Sequence, residues 1–310
     1  MFRTVGLFLL IHISLRAEPA IPHQVETRGV PELSSELAAK IKPYLNIKTV
    51  HFQDWQLSNT DVTVLASLRP EKGQVNQLHV FNKPRGKPRQ ITFGKNPVRK
   101  AIINPLNDRS IIFLRDEGGS ERYQIFHYDL ATGKTVRITD GKNRHTGVHW
   151  SSKGDQIAYF SPKRNGRDND LYISSLNQNG SEKLLLKLNG GGWKIEDWSS
   201  DGRMLLIMEY ISINESRIHI VDTQSGEISP LTPKLNVQVS YQNARFDANL
   251  RAVYFTSDDG FDFQRLTRLD LSSGEYRYYL AQLKWDVELF ELSPDGETLA
   301  VVINERAVSK

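Results

Sequence analysis

The chain has 310 residues, of which 39% are hydrophobic and 25% charged, with a formal charge of +4 and no cysteine. That length supports a sizeable core, and the composition is that of an ordinary folded globular protein rather than a disordered one. The lack of cysteine excludes a disulfide framework, a thiolate nucleophile and a cysteine-ligated metal.

Residues 1–17 read as a signal peptide. Met1-Phe2-Arg3 gives a short basic start, Thr4 to Leu15 is an apolar run, and Ala17 offers a cleavage point before Glu18-Pro19. Such a run is too short to span a bilayer, so the expectation is export, periplasmic or secreted, after cleavage near Ala17, with no membrane span. Cleavage would remove Arg3 and Arg16 and no acid, which leaves the chain close to neutral. A protein built around nucleic acid or an anionic membrane would be more basic. Residues 18–46 follow as an extended leader and a short helix. Leu33, Leu37 and Ile41 have helical spacing within Pro31 to Lys42, and Pro43 is expected to stop the helix.

Residues 47–310 carry an internal repeat. An apolar anchor followed by a polar turn recurs at Trp55, Ile103, Trp150, Trp198, Phe246 and Leu292, at intervals of 48, 47, 48, 48 and 46 residues. After each anchor comes a strand-like run: Val62 to Leu65, Ile111 to Leu114, Ile157 to Phe160, Leu205 to Met208, Val253 to Phe255 and Leu299 to Val302. A second strand lies further on, as in Gln124 to Tyr128 and Ile218 to Val221. Three of these run into the same turn, Asp129 to Gly133, Asp222 to Gly226 and Asp270 to Gly274, where Asp caps and Gly takes positive φ. About four short strands per period is the mark of a β-propeller blade, whose faces are buried only by neighbouring blades. The predicted fold is therefore all-β, a propeller of four-stranded blades with a short N-terminal helix. About five blades are complete, and a sixth stops near Glu305 before its second strand. The ring is expected to be incomplete, so that residues 47–310 form a truncated propeller.

The chain also resembles the N-terminal propeller of the prolyl oligopeptidase family of serine peptidases, especially dipeptidyl-aminopeptidase and acylaminoacyl-peptidase-like members. The resemblance spans roughly residues 28–300. It is carried by Gly29-Val-Pro31, Tyr44-Leu-Asn46, Phe52-Gln-Asp-Trp55, Gln77-Leu-His79, Arg89 to Phe93, Gly118 to Gln124, Arg144 to Trp150 and Asn165 to Tyr172. It implies a propeller of seven or eight blades that gates peptide access to an α/β-hydrolase domain bearing a Ser-Asp-His triad. That domain's nucleophile elbow needs Gly-x-Ser-x-Gly, and no two glycines here lie four apart. The chain is thus expected to be inactive as a peptidase alone, with peptide as a partner only beside a hydrolase domain. The alternative is a stand-alone TolB-like propeller that binds a protein partner. A propeller enzyme with its site in the central channel would need carboxylates or histidines converging at equivalent blade positions, and the repeats suggest no such column.

Other motifs are read as structural. His145 and His149 are four apart, but Gly147 and strand character keep them about 13 Å apart, too far to share a metal. Lys83 to Arg89 loosely resembles an AT-hook, with Lys87 in place of an arginine, yet it fits a solvated hairpin loop and not nucleic-acid binding. Asp168 with Asp170, and Asp258-Asp259-Gly260, lack the spaced oxygen donors that calcium needs. Gly190-Gly-Gly192 fits an inter-blade loop. Asn179-Gly-Ser181 and Asn214-Glu-Ser216 are glycosylation sequons. Glu121 and Arg122 lie on a hairpin of the second blade, where family propellers can face the substrate chamber, and a solvent-facing role is preferred. No catalytic, cofactor-binding or metal-ligating residue is assigned, and no cofactor is expected.

Overall fold

The structure, a computed structural model, describes residues 28–45, 47, 49–58, 61–70, 75–83, 86–176 and 181–310. The expected signal peptide, its cleavage point at Ala17 and most of the leader lie outside these residues. The chain divides into two compact units, Met1–Thr49 and Val50–Lys310.

The first unit holds helix α1, Ser35–Leu45. Ser34 caps it, its Oγ accepting from Leu37 N at 3.2 Å and its carbonyl from Ala38 N at 2.9 Å. Glu36 and Lys40 pair one turn apart at 2.8 Å. The helix runs past Pro43, where the sequence predicts its end. A proline in the final turn removes a single N–H donor and leaves the earlier turns intact.

The described residues of the second unit form a series of six antiparallel sheets. The first contains β1 Val50–Ser58, β2 Asp61–Leu68, β3 Gln77–Phe81 and β4 Arg89–Gln90. The second contains β5 Val98–Asn104, β6 Asn107–Arg115, β7 Gln124–Asp129 and β8 Thr135–Arg137. The third contains β9 Thr146–Trp150, β10 Gln156–Ser161, β11 Asp170–Ser175 and β12 Lys183–Leu186. The fourth contains β13 Trp193–Trp198, β14 Met204–Ser212, β15 Glu215–Asp222 and β16 Ile228–Pro230. The fifth contains β17 Tyr241–Phe246, β18 Ala252–Ser257, β19 Arg265–Asp270 and β20 Tyr276–Tyr279. The sixth has three strands, β21 Val287–Leu292, β22 Leu299–Glu305 and the two-residue β23 Val308–Ser309. The sequence reading ended this blade too early. The anchors close the first strand of each sheet rather than preceding it, and Arg306 and Ala307, both at positive φ, turn the chain back into β23.

Five apolar clusters mark five seams, each drawing side chains from two consecutive sheets. Leu65, Leu78 and Val80 meet Ala101, Ile103 and Phe113 in the first seam. Leu206 and Ile218 meet Tyr241, Phe246 and Phe255 in the fourth. This explains why the second strands are unbroken apolar runs: Ile111 to Phe113 and Leu205 to Ile207 are fully buried because both sheet faces are covered. The anchors Ile103, Trp150, Trp198 and Phe246 are only 3–7% exposed. Trp55, whose outer face meets no earlier sheet among the described residues, is 57% exposed, and Phe52 and Leu57 are open beside it. Leu289, Leu299 and Val308 are exposed at the other end of the series.

Recurrent hydrogen bonds fix each sheet. Asp129 Oδ1 accepts from Ala131 N and Thr132 N at 2.9 and 2.8 Å, and Asp222 and Asp270 do the same for their own turns. Gly226 ends one such turn at φ +77°, and a Cβ there would lie 2.2 Å from the Leu185 carbonyl. Thr92, Thr139 and Thr232 each accept a backbone N–H from the third strand of their sheet, at Leu78, Ile125 and Ile218. These threonines lock the outer edge of the blade to its interior.

Candidate functional site

The first strands of neighbouring sheets approach one another in the order β1, β5, β9, β13 and β17, which places them at the hub. Each carries a β-bulge two to five residues before its anchor or at an equivalent break in pairing. In β9 the irregularity falls around Gly147, at φ +64°. A bulge leaves an unpaired residue and re-aims the side chains that follow it.

The residue before each anchor therefore forms a set around the hub: Asp54, Ile102, His149, Asp197, Arg245 and Glu291. The sequence predicts no column of carboxylates or histidines at equivalent blade positions, and this set is of mixed type, with Ile102 and Arg245 among the acids and His149. Anchors catch the eye because they are aromatic, whereas their neighbours differ in type from blade to blade. The signal was present all the same, in the chemistry of that one register position.

Two of these residues bind adjacent sheets together. Asp54 Oδ2 accepts from Ile103 N at 2.8 Å, and its Oδ1 from Trp55 N at 2.9 Å. Asp197 Oδ2 accepts from Phe246 N at 2.8 Å. Gln53 adds a bond from Ala101 N at 3.0 Å, and Trp150 Nε1 donates to the Ile102 carbonyl at 3.2 Å. All these bonds except that from Trp55 N cross a seam, between partners 48 or 49 residues apart. Burial raises the pKa of both Asp54 and Asp197 despite the backbone donors.

Lys100, Lys194, Glu196 and Arg245 complete the cluster. Glu196 is nearly inaccessible and pairs with Lys194 at 2.9 Å and Arg245 at 3.9 Å. Arg245 Nη1 also donates to the carbonyls of Glu196 and Ala244, at 2.5 and 2.9 Å. Lys100 is accessible to solvent yet surrounded by protein, and burial followed by the Lys194 charge lowers its pKa. His149 Nδ1 donates to the Trp150 carbonyl at 2.9 Å, which leaves Nε2 as the lone-pair nitrogen. Desolvation lowers its pKa to about 4, so the ring is neutral at pH 7. The cluster offers fixed charges of both signs for holding a polar ligand.

The other singled-out residues lie elsewhere. His145 is fully buried, with Nδ1 on the Tyr123 carbonyl at 3.1 Å, and shares no partner with His149. Asp168 accepts from Asn165, Arg167 and Gly190, and Asp170 from Arg164 and Leu188, so both tie one loop to the next. Asp258 accepts from Ser240 N at 2.8 Å, and Asp259 lies 3.5 Å from the Tyr241 hydroxyl. Among the described residues no group of His, Asp or Glu side chains could hold a metal ion. Glu121 and Arg122 are exposed on the β6–β7 hairpin, and Glu121, at φ 57°, lies 3.7 Å from Arg144. Lys83 to Arg89 joins β3 to β4, with Pro84 and Arg85 outside the described residues. Gly190 to Gly192 lies between β12 and β13, and Asn214 sits in the β14–β15 turn. Asn179 is outside the described residues. No helix among the described residues is long and apolar enough to cross a membrane.

Six radially neighbouring sheets around a charged hub define a β-propeller domain. The family model described as "Prolyl oligopeptidase, N-terminal beta-propeller domain" matches residues 104–308, so the chain belongs to the prolyl oligopeptidase family through that domain. An uncharacterized peptidase, YuxL, of Bacillus subtilis (strain 168) is 28% identical over 191 residues, which cover 62% of this chain and 26% of that protein. A prolyl endopeptidase structure superposes with a TM-score of 0.67 at 12% identity, covering 84% of this chain and 40% of its own. A puromycin-hydrolyzing peptidase of Mycobacterium tuberculosis gives 0.62 at 12% identity, covering 82% and 43%. The structural likenesses concern fold. This chain spans about a quarter of the curated relative's length and two fifths of the prolyl endopeptidase's.

Proposed function

We propose that this propeller is the access-controlling part of an exported serine peptidase, admitting peptides and excluding folded proteins from a hydrolase domain. The observation that carries this reading is the family match over residues 104–308, supported by the charged hub. No Gly-x-Ser-x-Gly occurs in the chain, so the propeller supplies no family nucleophile and acts by selection. A channel with fixed charges and rigid walls passes an extended peptide and rejects a folded domain by size.

The test fuses the chain to the hydrolase domain of a family peptidase and compares cleavage of a short chromogenic peptide with that of a folded protein. The fusion should cleave the peptide and spare the protein, while the hydrolase domain without the propeller should lose that distinction. Equal size selectivity with and without the propeller would refute the reading. For export, N-terminal sequencing of the protein from an expressing host should find Glu18 first, and a retained Met1 would contradict the signal-peptide assignment.

A further inference from the structure

The hub contains seven ionisable side chains from five sheets: Asp54, Lys100, His149, Lys194, Glu196, Asp197 and Arg245. The three acids are already engaged. Asp54 and Asp197 hold the backbone of the next sheet, and Glu196 is paired with Lys194 and Arg245. The three cations are less fully used. Arg245 commits Nη1 to carbonyl oxygens, which leaves Nη2 for a ligand. Among the described residues the Lys100 ammonium has no ion pair within 4 Å; the repulsion of Lys194 outweighs the attraction of Asp54, and Arg245, from a third sheet, adds to the repulsion. Glu196 offsets the charges of Lys194 and Arg245, and Asp54 offsets part of that of Lys100; an anion between the three cations would relieve the repulsion that remains.

We propose that the propeller hub is a binding site for a single small oxyanion, a carboxylate or a phosphate, held by Lys100 with Lys194 and Arg245. The three nearby carboxylates limit the site to one such group, because a polyanion would meet Asp54, Glu196 and Asp197 as well. The bulged strands suit this role, since they fix the backbone from which β5, β13 and β17 present the three side chains. The inference concerns the hub alone and stands or falls independently of any hydrolase domain.

Two sources share this chemistry: the terminal carboxylate of a peptide and inorganic phosphate. Isothermal titration of the full chain in a phosphate-free, low-salt buffer separates them, using N-acetyl-dialanine, its C-terminal amide and inorganic phosphate. If the source is peptide, the acid binds at least about tenfold tighter than the amide, the difference expected for one charge-assisted contact. If the source is phosphate, phosphate binds and the acid does so only weakly and in competition. In either case Lys100→Met weakens binding about tenfold, while Lys100→Arg keeps it, and the far-UV circular dichroism of both variants shows that they fold. Saturable heat from none of the three compounds, or binding unchanged in Lys100→Met, would overturn the proposal.

Discussion

Replacing Trp150 and Trp55 separately with alanine tests the seam architecture, because the two hold equivalent positions in different surroundings. Trp150 is 3% exposed, packs against Ile112, Ile125 and Tyr159, and donates Nε1–H to the Ile102 carbonyl across the seam. Removing a buried tryptophan costs about 3–5 kcal/mol, and a carbonyl left unpaired in the seam adds about 1 kcal/mol. Trp55 is 57% exposed with its outer face open. A tryptophan that buries less than half its surface, of order 100 Å², contributes about 1–2 kcal/mol once the compactness of the unfolded chain is allowed for. The two variants should therefore differ by about 3 kcal/mol, a large part of a domain's total stability. Urea titration followed by far-UV circular dichroism avoids the change in fluorophores, and equal m-values would confirm that the same unfolding is measured. Equal costs within about 0.5 kcal/mol, or a larger cost for Trp55, would refute the claim that consecutive sheets bury the anchors.

Asp197→Ala should destabilise by about 2 kcal/mol because the Phe246 N–H loses its acceptor within a seam, and Asp197→Asn should recover part of that since the amide oxygen still accepts; equal midpoints for the two in urea would contradict this. His149 makes stability depend on pH. Its pKa of about 4 in the fold lies below the unfolded value near 6.5, so the unfolded chain takes up the proton first and stability falls as pH drops from about 6.5 toward 4. Between pH 7 and pH 5 this amounts to about 2 kcal/mol, and His149→Asn should flatten the urea-midpoint profile by that amount; an unaltered slope would count against the desolvated ring. Gly226→Ala meets both positive φ and the Leu185 carbonyl and should cost more than about 2 kcal/mol, whereas Gly260→Ala, at φ +74° in open space, should cost about 1 kcal/mol. Thermal melts rank the two directly.

Architecture was legible in the sequence because each seam demands an apolar anchor and each blade a reversing turn, and both demands recur at fixed spacing. Trp198-Ser-Ser-Asp-Gly and Asp222-Thr-Gln-Ser-Gly show this, their polar side chains capping the turns at 2.7–2.8 Å. The third strand of the sixth sheet was not legible, because Arg306-Ala307 lacks the Gly or Asn that usually marks a two-residue hairpin. The hub escaped notice for a different reason. Its residues share a register position but no chemical type, and a bulge shifts Lys100 and Glu196 away from the alternation that a regular strand would give. Periodicity in type can be read from sequence, whereas convergence of unlike groups is created by the closing of strands around an axis.

A distance between labels on Lys100→Cys and Glu291→Cys tests the account most directly, since the chain has no other cysteine. Four seams at about 10 Å each separate β5 from β21, and curving around one hub brings these strands back to about 20 Å, so pulsed electron paramagnetic resonance should give one distribution near 20 Å, widened by the label arms. A distance of about 40 Å or more, as the same seams laid out in a line would give, would contradict strands gathered around one hub.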